Sequence, residues 1–214
     1  MKIPKYRFDV VIGDEALVKH DEELCRVAAH EAGHFIMSIL IDGSMPRGLS
    51  IVPTEDSAGR ILGAGCFASG IDWISEPSTW QRSAIRRDAL MMAAGAAVEE
   101  LSPAWDPFDD GWANDFDAMG KYLDKVGEQL DYDLFYDYVR FVQYLLRFKR
   151  PRRAIRLIVD TILEKRELDC HNGLYDLMHR VERELGSYRQ SARQKIENWV
   201  TMRDINTNAH TITA

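Results

Sequence analysis

Residues 24–41 read LCRVAAHEAGHFIMSILI. Apolar side chains at Leu24, Val27, Ala28, Phe35, Ile39 and Leu40 recur at helical spacing, which predicts a helix. Asp21 stands where an N-cap belongs. Asp42-Gly43 stands where the helix should stop, because Gly tolerates a left-handed C-terminal cap. Inside the helix lies His30-Glu31-Ala32-Gly33-His34, an HExxH pattern. Residues four apart project from nearly the same helix face, so both imidazoles can reach one metal ion. Zn²⁺ accepts neutral imidazole at about 2.0–2.1 Å, and a catalytic site needs three protein ligands and one open position. Glu31, one residue past the first ligand, is placed to take the proton from a water as it attacks a carbonyl. The bland alternative is an exposed His pair on an ordinary helix. The flanks VAA and FIMSIL argue against it, since two imidazoles and a carboxylate on a buried helix are costly unless they bind something.

Working outward, residues 44–75 are rich in Gly, Pro and Ser, with β-prone runs at 49–52 and 61–67 that read as short strands. A second helical pattern spans 75–101, with Pro77 in its first turn and Pro103 beyond its end. Residues 104–117 read as a loop dense in Trp and Asp. From Met119 onward the pattern is helical: an aromatic helix over 130–148, and a helix started by Pro151 that carries Ile155, Ile158 and Ile162. A last helix carries Leu174, Leu177, Val181 and Leu185 and reaches Val200. Val10, Val11, Ile12 and Gly13 suit a short strand and turn. The expected fold class is therefore mainly α, a helical domain with a small β element between the first two long helices. Residues 1–120 form the core with the HExxH motif and 121–200 a helical part packed on the same domain. Residues 201–214 are expected to form a disordered tail, its end NTNAHTITA having no apolar face.

Composition excludes classes. The chain has 214 residues, 46% hydrophobic and 29% charged, which is a globular balance. A net charge of −7 gives no overall basic field, so no nucleic-acid partner is expected. The most apolar runs, 35–41 and 89–98, fall short of the roughly 20 residues that cross a bilayer, so no membrane span is expected. No signal peptide is visible. Cys25, Cys66 and Cys170 are far apart with no CxxC pair, which reads as free buried thiols in a reducing cytoplasm.

The metal reading needs a third ligand. Glu99-Glu100 on the second long helix and Asp115 at a loop-to-helix junction are both candidates, and the residues alone leave both open.

Four ordered segments resemble a known family. The stretch AAHEAGHFIM is similar to the zinc-peptidase domain of the FtsH family of AAA-type ATP-dependent membrane proteases, whose signature is HEAGH. The segment Leu49-Ser50-Ile51-Val52-Pro53 resembles the family's substrate-pairing strand. The stretch Ala94-Gly95-Ala96-Ala97-Val98-Glu99-Glu100-Leu101 resembles its GGRAAEEL segment, and residues 111–115 its GASND segment. The likeness covers about residues 25–120 well and continues faintly at 154–168. It implies a zinc metalloendopeptidase in which His30, His34 and Asp115 hold Zn²⁺ and Glu31 activates water, with Glu99 or Glu100 in reserve as third ligand. It further implies that Ser50, Ile51 and Val52 bind an extended peptide or unfolded protein substrate along a strand edge.

The chain departs from the family in several places. No GxxxxGK[ST] phosphate loop is present, so a stand-alone peptidase is expected, with a separate ATPase as a partner to consider. Ala96 replaces an Arg, while Trp112 and Phe35 replace small residues and are expected to narrow the cleft. These departures motivate the competing expectation of a catalytically silent zinc-binding module acting in regulation or protein interaction.

Weaker features have bland readings. The Asp-rich stretch 106–117 fails as a calcium loop, with Phe108 at position 3 and Asp117 at position 12. The basic residues Arg147, Lys149, Arg150, Arg152, Arg153 and Arg156 read as a solvated interhelical loop. The aromatics of DYDLFYDYVRFVQYLLRF read as core, with a homo-oligomer interface as the second reading. His20, His171, His179 and His210 are isolated and read as surface or capping residues.

Overall fold

The computed structural model describes residues 20–41, 46–53, 60–62, 78–101 and 111–211. The expected strand at 10–13, the helix stop at Asp42-Gly43, Cys66, Pro77 and Pro103 lie outside the described residues.

The first helix, α1 (Glu22–Ile41), is the predicted HExxH helix. Asp21 caps it as expected, its Oδ1 accepting the Leu24 amide at 2.8 Å. From Cys25 onward almost every residue of α1 is buried, so the helix runs through the fold rather than along its surface. By length and mean hydropathy alone α1 could also cross a bilayer, which contiguous apolar runs did not reveal. With 83% of its most apolar window buried in the protein, packing accounts for that hydropathy.

Helix α2 (Thr79–Glu99) covers α1 most extensively. It begins at Thr79 rather than at residue 75 because Ser78 builds a capping box. Its hydroxyl accepts the Gln81 amide at 3.3 Å while the Gln81 side chain accepts the Ser78 amide at 2.7 Å. Gly33 lets the two helices approach closely: a Cβ there would stand 2.1 Å from the Ala94 carbonyl oxygen.

The remaining helices are α3 (Ala113–Asp124), α4 (Tyr132–Leu146), α5 (Lys149–Lys165), α6 (Leu174–Leu185) and α7 (Tyr188–Thr211). α3 and α4 pack on α2, and α5 packs on α1 and α6, so the C-terminal helices buttress the central pair. The protein is mainly α, with a small antiparallel sheet whose strands β1 (Gly48–Ser50) and β2 (Arg60–Leu62) lie between α1 and α2, as expected.

Five details differ from the sequence expectation. First, a third strand, β3 (Glu167–Asp169), joins the sheet in the order β2-β1-β3, placing Leu49 opposite Leu168. The chain reaches it through Arg166 at φ 68°, a left-handed turn that lets the Arg166 carbonyl accept the Ile51 amide at 2.9 Å. Second, α3 begins inside the stretch read as a loop. Third, the expected last helix is two helices, broken where Gly186 adopts φ 50°. Fourth, α7 continues to Thr211 through the expected disordered tail, since no Gly or Pro follows Gly186 to stop it. Fifth, Lys149 and the basic residues after it form the first turn of α5 rather than a loop. Among the thiols, Cys25 is buried as expected but Cys170 is exposed.

Candidate metal centre

Three side chains from two helices converge on one point. His30 and His34 lie one turn apart on α1, with ring centroids 4.7 Å apart and planes at 77°. Asp115 sits in the first turn of α3, where the positive end of the helix dipole favours a carboxylate. The Nε2 atoms of the two histidines are 3.0 Å apart. Asp115 Oδ2 lies 3.0 Å from His30 Nε2 and 3.1 Å from His34 Nε2. Among the described residues this is the cluster of three metal-capable side chains.

The other face of each imidazole fixes which nitrogen is free. His34 Nδ1 lies 2.8 Å from the Met91 carbonyl oxygen, which can only accept, so Nδ1–H donates there. His30 Nδ1 lies 2.9 Å from Glu99 Oε2 and donates to that carboxylate. In the neutral rings both Nε2 lone pairs therefore point at each other and at Asp115 Oδ2. Three acceptors within about 3 Å repel unless a cation or protons lie between them. Asp115 Oδ2 is buried and faces these two Nε2 atoms.

Two further observations fit a metal ion. A Cβ at Gly95 would stand 2.5 Å from His30 Nε2 and 2.7 Å from His34 Nε2, so only glycine leaves the convergence point open on the α2 side. Tetrahedral zinc with bonds of about 2.0–2.1 Å separates its ligands by about 3.3 Å, close to the spacing found. The side chains of His30 and His34 are 13% exposed and that of Asp115 23%, so the cluster is not sealed from solvent. Two His and one Asp are the nitrogen and oxygen donors zinc takes in catalytic sites.

Electrostatics follow the same arrangement. Burial pulls the His30 imidazole down, but the Asp115 and Glu99 carboxylates outweigh it and raise the ring to about 10 without a metal. His34 is also raised, its burial outweighed by Asp115. Burial opposes ionisation of Asp115, yet His34 and His30 hold its carboxyl well below the usual carboxylate range. Glu31 is raised by burial, only partly offset by His34 and His30, and its Oε2 is buried without a hydrogen-bond partner. A buried carboxylate with a raised pKa beside such a cluster is a candidate for proton transfer.

The three carboxylates considered for the third position lie in different places. Glu99 is buried and grips the Nδ1 side of His30, away from the convergence point, while accepting from Arg26 at 2.7 Å. Glu100 accepts from Gln143 at 2.9 Å. Asp115 is the carboxylate at the two Nε2 atoms. Arg26, Gly95 and the Met91 carbonyl escaped sequence reasoning. Only Gly95 left a signal there, as a glycine among helix-forming alanines.

The expected substrate strand is corrected. β1 is the central strand, paired on both sides, so it offers no open edge along Gly48–Ser50. Ser50 and Ile51 are buried, the Ile51 amide is taken by Arg166, and only Val52 is exposed. The large departures pack inward as well: Phe35 is fully buried, and Trp112 stacks on Phe135 with ring centroids 5.1 Å apart. His171 and His179 are exposed and outside the cluster. No family model matches the chain, and no curated protein matches it.

Proposed function

We propose that this protein is a zinc-dependent metallopeptidase of FtsH-like type, hydrolysing peptide bonds in peptides and unfolded protein segments. One observation carries the reading: His30 Nε2, His34 Nε2 and Asp115 Oδ2 meet at one point beside Glu31, whose buried Oε2 has no hydrogen-bond partner. His30, His34 and Asp115 would hold the zinc. When bound, zinc supplies Lewis acidity, acidifying water and polarising the scissile carbonyl. Glu31 accepts the proton of the attacking water at Oε2 and returns it to the leaving amine. Glu99 and the Met91 carbonyl keep both Nδ1–H groups engaged, so that Nε2 of each ring faces the site. An extended substrate that pairs with the sheet would do so on β2 or β3, since β1 is filled on both sides. ATP-driven unfolding, where a substrate requires it, is assigned to a partner.

The test is cleavage of a peptide library by zinc-loaded wild type and Glu31→Gln protein. The wild type should cleave, lose activity on chelation and regain it with zinc, while Glu31→Gln binds zinc and falls by at least about 100-fold. Equal cleavage by a metal-loaded Glu31→Gln protein would overturn the mechanism. Zinc binding with no cleavage by either would favour the silent module.

A further inference from the structure

Arg26 lies on α1 one turn before His30 and is only 8% exposed. A buried guanidinium is costly, and an apolar side chain of similar volume is commonly as stable or more so at such a position. Arg26 is held by two carboxylates from different elements. Its Nε and Nη2 donate to Glu23 at 3.0 and 2.6 Å, a two-pronged grip at the solvent side. Its Nη1 donates to the buried Glu99 of α2 at 2.7 Å, and the other oxygen of Glu99 receives the Nδ1–H of His30. The same Nη1 bounds Gly111, where an added Cβ would stand 2.2 Å away. Gly111 lies two residues before α3 and four before Asp115.

One side chain thus touches all three segments that build the centre. We propose that Arg26 is a positioning residue for the metal centre: it locks Glu99 onto His30 and seats Gly111, so that the imidazole and Asp115 are presented to one ion together. The inference rests on the metal-centre reading above. It requires an arginine. A lysine keeps the charge but has a single ammonium, which cannot grip Glu23 with two nitrogens while a third reaches Glu99. The arrangement also explains a small residue at position 111, because a side chain there would push Arg26 off Glu99.

The test is titration of the full chain with Co²⁺, read by affinity, by the visible spectrum of the bound ion and by ¹⁵N NMR of the His30 Nδ1–H. Arg26→Met and Arg26→Lys should each weaken Co²⁺ binding by about 10–100-fold, alter the spectrum and lose the protected Nδ1–H. Glu23→Gln, at the exposed end, should weaken binding several-fold with the fold intact. Arg87→Met, which removes the unrelated Arg87–Glu197 ion pair on α2, should leave affinity and spectrum unchanged. Wild-type affinity and spectrum in the Arg26 variants, with wild type binding Co²⁺, would overturn the role of Arg26 and leave the metal centre standing. No Co²⁺ binding by the wild type would remove the centre and this inference with it. Should Arg26→Met fail to fold, Arg26→Lys and Glu23→Gln carry the test, and unchanged Co²⁺ binding in both would overturn the proposal.

Discussion

At the scale of single residues, the proposed metal centre sets protons against a cation for three acceptor atoms. Asp115 and Glu99 raise His30 from its ordinary 6.5 to about 10 in the metal-free protein, and His34 rises as well. A folded pKa above the unfolded one stabilises the fold fully below the unfolded value, and this contribution is lost as pH rises through the folded value. The metal-free protein should therefore lose stability between pH 6.5 and about 10. Zinc must displace the same protons, so its affinity should rise over that interval. Thermal melts of chelated and zinc-loaded protein check this: the gap in Tm should widen from pH 6.5 to about 9. A gap that stays constant or narrows would contradict the assignment of the imidazoles as ligands. The residue pattern made His30, Glu31 and His34 legible, because helical spacing alone puts two imidazoles on one face. It could not separate Glu99 from Asp115. Both are carboxylates in reach of α1, and only the packing of α2 shows that Glu99 meets His30 at Nδ1 rather than Nε2.

At the scale of elements, the centre depends on how closely α2 lies on α1. Gly33 touches the Ala94 carbonyl and Gly95 touches the two imidazoles, so each helix presents a glycine to the other along the site. Gly33→Ala would put a Cβ 2.1 Å from backbone that has no rotamer to yield. It should force the helices apart and cost about 1–3 kcal/mol, read as a lower midpoint in urea unfolding. An unchanged midpoint would show that the helices are less tightly seated. α1 was legible in the sequence because its cap, period and apolar flanks agree. The break at Gly186 was hidden, since the apolar period runs up to Leu185 and helix-forming residues resume at Tyr188. β3 was hidden for a different reason. Three residues with one buried side chain carry no strand signal of their own, and their state comes from pairing with β1. The same long-range pairing fills the edge of β1 that the sequence assigned to substrate.

At the scale of the whole molecule, residues 30, 34, 99 and 115 meet because α1, α2 and α3 pack together, while α4, α5 and α7 pack on that central pair. The acidic balance of the chain, with a net charge of −7, suits a site that gathers a cation. Among the basic residues from 147 to 156, Arg150 donates to the Leu185 carbonyl and Arg147 lies over the Tyr144 ring, while both remain exposed. The proposed function requires one zinc ion held between His30, His34 and Asp115. Equilibrium dialysis of the full chain against zinc, followed by elemental analysis, tests it most directly. One zinc ion per wild-type chain is expected, and for Asp115→Ala an affinity lower by at least about 10-fold. Absence of stoichiometric zinc in the wild type, or equal binding by Asp115→Ala, would contradict it.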